Sequence, residues 1–233
     1  MTVFKYAMRR GFNPVSVIAN FFVPFSLLVF AQGLFDTNDL SGMNAWGFLL
    51  VALTIMVGMF YMAKSIQNDK INGVLVRILT GPITMRSYLI QNFFAAMIPA
   101  AILCLILGFT GFILHGWYFD FALALSLIYI MLSASSIGLS FAWSCLFKSK
   151  EASAAMFTML ISLISFVGGF MIPLSMLPDV LYYGGALFPA HWASRGINNL
   201  LIYGVDFDYW LSILAMFLFT VAFLLFGGKR RLI

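Results

Sequence analysis

The sequence predicts an all-α, polytopic membrane protein with six spanning helices and both termini in the cytoplasm. Three observations predict it. Of the 233 residues, 63% are hydrophobic and only 9% charged, against about 25% charged in soluble domains; a core this small cannot hide so much apolar surface from water. Six charge-free apolar runs follow one another, at 15–35, 46–63, 88–114, 121–147, 152–177 and 209–227, each near the ~20 residues that cross ~30 Å of hydrocarbon. Lastly, the lysines and arginines gather at alternate ends of those runs, the signature of a chain oriented by positive charge on the inner side.

The first run follows Lys5, Arg9 and Arg10 and is longer than a signal-peptide core, so it reads as an uncleaved first span. Before it, residues 1–13 set Val3, Phe4, Ala7 and Met8 against those cations. This is an amphipathic segment lying along the inner leaflet, where anionic lipid attracts each cation by about 1 kcal/mol. With the N-terminus inside, Lys64, Lys70, Arg77, Arg86, Lys148, Lys150, Lys229, Arg230 and Arg231 also fall inside, and only Arg195 outside. Most acids go the other way: Asp36, Asp39, Asp120, Asp179, Asp206 and Asp208 lie outside, Asp69 and Glu151 inside. Trp46, Trp117, Trp192 and Trp210 fall near the outer boundaries and Trp143 near the inner one, where amphipathic rings favour the headgroup region.

Between the fifth and sixth runs, 180–194 is uncharged but short and is broken by Gly184, Gly185 and Pro189. A seventh crossing there would carry Lys229, Arg230 and Arg231 outside, so 174–205 reads as an external re-entrant hairpin. Backbone at that depth must be covered by protein.

The 64–87 loop is the longest inner segment. In it Ile71, Val74, Leu75 and Ile78 recur at i, i+3, i+4 and i+7, the apolar stripe of a short helix, with Lys70, Gly73, Arg77 and Thr80 opposite. Gly81-Pro82 ends it. Such a helix either rests on the membrane surface or docks into a groove on a soluble partner.

Here the sequence resembles a known family. The run from Asp69 through Lys70, Gly73, Val74, Leu75, Arg77, Ile78, Leu79 and Gly81 to Pro82 is similar to the cytoplasmic loop of ABC-2 type permeases. A second match, Gly168-Gly169-Phe170-Met171-Ile172-Pro173 followed by Leu177-Pro178 and Phe188-Pro189, resembles the family's outer segment after the fifth span. Where the family has glutamates four and two residues before the glycine, this chain has Asp69 and Ile71. The resemblance covers essentially all of 1–233 as one transmembrane domain. It implies the permease half of an ATP-driven exporter in the cell membrane, a bacterial plasma membrane by the same analogy. The cargo would be a hydrophobic or amphipathic compound such as a drug, antibiotic or peptide-like molecule. It further implies a cytoplasmic ABC ATPase dimer that binds ATP and Mg, a second permease subunit, and a helix over 70–80 contacting the ATPase through Asp69, Lys70, Gly73, Leu75, Arg77, Ile78 and Pro82. Leu75 and Ile78 would fill the groove, with Arg77 at its rim.

The residues limit other functions. No Gly-x-x-x-x-Gly-Lys-[Ser/Thr] phosphate loop occurs, so the chain is not itself an ATPase and needs no cofactor of its own. The cations are not interleaved with exposed aromatics as nucleic acid would need. No acid or base falls inside a run, which argues against a proton- or sodium-coupled carrier. His115 and His191 lie in outer segments as packing residues, and Cys104 and Cys145 read as buried thiols. With neither zinc nor serine-hydrolase motif, membrane-embedded lipid chemistry is a weak alternative, and a non-ABC membrane scaffold or sensor the stronger one. In the fourth run Ser133, Ser136, Ser140 and Ser144, and in the fifth Thr158, Ser162, Ser165 and Gly169, form stripes that serve helix packing or line a substrate path. Pro24 and Pro99 are candidate kinks. In the hairpin, Pro173, Pro178 and Pro189 punctuate the backbone, and Arg195 pairs with Asp179 or Asp206.

Overall fold

A computed structural model describes residues 22–30, 46–81, 84–144, 146–147 and 149–229, together with Phe4 and Ala7. The described residues are helical with short connections: α1 (Val23–Phe30), α2 (Trp46–Ile71), α3 (Val74–Leu79), α4 (Met85–His115), α5 (Phe119–Ser144), α6 (Lys150–Val167), α7 (Asp179–Gly185), α8 (Pro189–Ile202) and α9 (Phe207–Lys229). A 3-10 turn, Leu174–Met176, precedes α7. Among the described residues, three stretches are long and apolar enough to cross a membrane, Met85–Leu114, Phe119–Ser144 and Phe207–Gly228, and two shorter apolar helical stretches, Trp46–Phe60 and Glu151–Val167, accompany them. Of the expected first span, only residues 22–30 are described. The amphipathic segment 1–13 lies outside the described residues apart from Phe4 and Ala7, as do Asp36, Asp39, Pro82, Cys145, Lys148, Arg230 and Arg231.

Local chemistry fixes the helix ends. Thr84 caps α4 by accepting the Ser87 N–H at 3.3 Å, and Gly116, at φ +65°, ends it in the left-handed conformation that favours glycine. Pro99 sits inside α4 without ending it. Ser149 caps α6 through Ala152 N–H at 3.2 Å, and Glu151 in that first turn faces the positive end of the helix dipole. Pro189 opens α8, where its missing N–H costs nothing.

Helix α5 is the centre of the bundle and packs on α2, α4, α6, α8 and α9. Its hydroxyls close on its own carbonyls: Ser126 on Ala122, Ser136 on Leu132, Ser140 on Ser136 and Ser144 on Ser140, at 2.7–2.8 Å. A buried hydroxyl without a partner costs about 1–3 kcal/mol, so this back-bonding lets a polar stripe lie within an apolar bundle. Ser133, Ser136, Ser140 and Ser144 are all buried. Tyrosines tie the neighbours on: Tyr129 donates to the Phe48 carbonyl of α2 and Tyr209 of α9 to the Ala124 carbonyl, each at 3.0 Å.

The α4–α5 seam leaves no room at Gly108. A Cβ on Gly108 would stand 1.9 Å from Ser126 Oγ and 2.9 Å from the Ala122 carbonyl, whereas one on Gly184 would meet nothing within 4 Å. Gly108→Val should therefore cost about 1–3 kcal/mol by overpacking and lower the melting temperature in detergent, while Gly184→Ala leaves it unchanged. Thermal unfolding monitored by gel filtration reads both.

Candidate functional site

The two ends of the bundle are chemically different. At the α3 end sit Lys64, Lys70, Arg77, Arg86, Lys150 and Lys229; at the opposite end, around α7 and α8, sit Asp120, Asp179, Asp206 and Asp208 with Arg195.

At the α3 end, α2 does not stop at 63 but continues through Gln67, Asn68, Asp69 and Lys70 to Ile71. The chain then turns at Asn72-Gly73, with Asn72 N–H on Asn68 O at 3.0 Å and Gly73 N–H on Lys70 O at 3.3 Å. Gly73 has φ +68° and open space around its Cα, so conformation rather than room requires glycine there. The expected single helix over 70–80 is thereby divided into the last turn of α2 and the six-residue α3.

The division re-aims the site residues. Asp69 is 5% exposed and accepts the Tyr88 hydroxyl of α4 at 2.6 Å. Lys70 turns inward and donates to the Phe147 carbonyl at 3.0 Å. Leu75, which the family resemblance implies would enter a partner's groove, is 1% exposed and joins this chain's own core, with Ile78 half-buried beside it. Arg77 faces outward, as do Thr80 and Gly81. The described outward surface of α3 is therefore basic and polar, and its apolar side anchors it to the bundle. Gln67 and Tyr88, which the sequence did not single out, belong to the same cluster; Gln67 donates to the Ser149 carbonyl at 3.1 Å. A polar run Gln-Asn-Asp-Lys ending an apolar helix was the available signal.

At the opposite end, Pro173 and Pro189 are buried and Pro178 is exposed at the start of α7. Helix α7 turns Val180 and Tyr183 outward, while α8 buries Ala190, His191, Ala193, Ser194 and Ile197 against the bundle. Arg195 pairs with Asp208 at 2.8 Å and stacks 5.6 Å above the Trp192 ring. The expected partners Asp179 and Asp206 are displaced for a visible reason in the second case: Asp206 caps α9 by accepting Tyr209 N–H at 3.0 Å and also takes the Asn199 amide. On α6, Thr158 and Ser162 face outward with hydroxyls closed on the Ala154 and Thr158 carbonyls, each at 2.9 Å. Ser165 is fully buried, and its Oγ has no hydrogen-bond partner among the described residues.

His191 is 1% exposed, with the Tyr182 ring edge-on at 5.0 Å and Nδ1 without a hydrogen-bond partner among the described residues. Burial, with a contribution from the Arg195 charge, lowers its pKa from the usual 6.5. The unfolded chain thus takes up the proton more readily than the folded one, so stability is full above about pH 6.5 and declines as pH falls below it. The melting temperature in detergent should drop between pH 7 and pH 5, and His191→Phe should flatten that dependence; equal slopes would remove His191 as the cause.

A sequence model described as ABC-2 family transporter protein matches residues 6–229. No curated protein matches the chain.

Proposed function

The chain belongs to the ABC-2 family of transporter proteins and is a multi-pass membrane permease of the ABC type, and from that premise we propose that it is the membrane half of an ATP-driven exporter. Its cargo is a hydrophobic or amphipathic compound, moved out of the cytoplasm or the inner leaflet. The energy comes from a separate ABC ATPase pair that holds ATP and Mg, since this sequence contains no phosphate loop. A second permease subunit, a copy or a paralogue, completes the path. The concentration of lysine and arginine at the α3 end supports its being the cytoplasmic end.

The observation that carries the proposal is α3 itself, a short helix set off from α2 by Gly73, anchored by buried Leu75 and presenting Arg77 outward. Anchored on one side and basic on the other, it suits contact with a soluble protein that must push on it. Arg77, Thr80 and half-buried Ile78 form that contact. When the ATPase subunits close on ATP they press α3, and the displacement enters the bundle through α2, which shifts the permease halves between inward- and outward-open forms. Each shift uses only the preference of the ATP-bound partner for one of two bundle arrangements.

A rim charge on a docking surface affects association and its specificity more than the fold. Arg77→Glu should therefore leave expression and melting temperature unchanged and reduce permease-dependent ATPase activity several-fold in the reconstituted complex. Unchanged activity would count against this docking surface. A chain that brings no nucleotide-binding subunit through mild detergent would instead favour a scaffold or sensor.

A further inference from the structure

Three neighbouring side chains near the end of α2 reach other segments, Gln67 and Lys70 the α5–α6 connection and Asp69 helix α4. Gln67 Nε2 donates to the Ser149 carbonyl at 3.1 Å, and Ser149 is the residue whose hydroxyl caps α6. Lys70 Nζ donates to the Phe147 carbonyl, in the connection from α5 to α6, at 3.0 Å. Asp69 accepts from Tyr88 in the first turn of α4 at 2.6 Å. Gln67 and Lys70 are three residues apart and so share a helix face; both reach backbone about a third of the chain away, separated from it by 82 and 77 residues.

The recipients matter because of how α6 is held. Its outward face leaves Met156, Met159, Leu163 and Phe166 exposed, so it meets the bundle along a narrow seam. On that seam the Phe60 and Phe157 rings stack at 4.0 Å, and Trp143 Nε1 bonds the Ser153 carbonyl at 3.2 Å. The two donors from α2 grip the start of α6, where a small displacement tilts the whole helix.

We propose that Gln67 and Lys70 are positioning residues that link α3 to α6: a displacement of α3 rotates the last turn of α2, and these two donors drag the capped N-terminus of α6 with it. This rests on the assignment of α3 as the ATPase contact. Lys70 thereby acts inside the permease and not against the ATPase, and the α5–α6 connection becomes a second moving part of the cytoplasmic end. Backbone carbonyls as recipients make the link tolerant of side-chain identity at 147 and 149, but not of losing the donors.

The test uses the permease–ATPase complex with Cys104 and Cys145 replaced by alanine. Single reporter cysteines are placed at exposed Thr80 after α3 and exposed Ala152 in α6. Maleimide labelling rates are compared without nucleotide and after trapping with ATP and vanadate. Without further substitution, both reporters should change rate on trapping. Lys70→Met and Gln67→Leu should each keep the change at residue 80 and reduce that at residue 152 by about five-fold or more. Lys70→Arg, which retains an N–H donor, should restore it. An undiminished response at residue 152 in the Lys70→Met, Gln67→Leu double variant overturns the link. So does loss at both reporters together, which means the donors only hold the fold; Gln67→Leu alone decides the matter if Lys70→Met fails to assemble. If the unsubstituted complex lacks the ATPase, or shows no change at residue 80, the assignment of α3 fails, a result distinct from failure of the link.

Discussion

A polar group inside an apolar bundle must find its partner within the protein, and helix α5 meets that constraint in the way the rest of the structure depends on. Ser126, Ser136, Ser140 and Ser144 bond carbonyls of their own helix, so small side chains can face every neighbour without stranding a donor. Close approach follows. Gly108 lies against Ser126 and Gly138 against the backbone of Thr220, while Tyr129 and Tyr209 bridge to carbonyls of α2 and α5. Dispersion contacts at such distances are individually weak and collectively decisive in a medium as apolar as the side chains themselves.

Around that compact middle the ends are built differently. At the α3 end, the long polar side chains of Gln67 and Lys70 reach carbonyls of distant segments. The opposite end is held by shape: prolines, glycines with no room for a Cβ at 168 and 185, and a carboxylate cap at Asp206. A permease needs one end that accepts displacement and a core that transmits it, and the distribution of bond types fits that division.

Much of the fold was legible because lipid imposes a simple rule on sequence. The charge-free runs at 88–114, 121–147 and 209–227 locate α4, α5 and α9 within a few residues, since a mid-span charge is costly. The candidate site was less legible. The charge-free run behind α2 ends at 63, before Lys64, while the helix continues to Ile71; Asp69, Gln67 and Lys70 find their partners in Tyr88 and in carbonyls about 80 residues away, which periodicity cannot register. For Leu75, an apolar stripe does not say whether its groove belongs to the chain or to a partner, and the fold buries it in the chain's own core. Arg195 found Asp208 because Asp206 was already occupied as a cap, a competition visible only in three dimensions.

The central claim is that force enters this permease through α3, and photo-crosslinking in intact cells tests it most directly. With a photoreactive amino acid at Thr80, irradiation should capture a nucleotide-binding protein as the principal adduct, identified by mass spectrometry. Adducts with lipid alone, or labelling of the same position by an impermeant reagent added outside the cell, would contradict it.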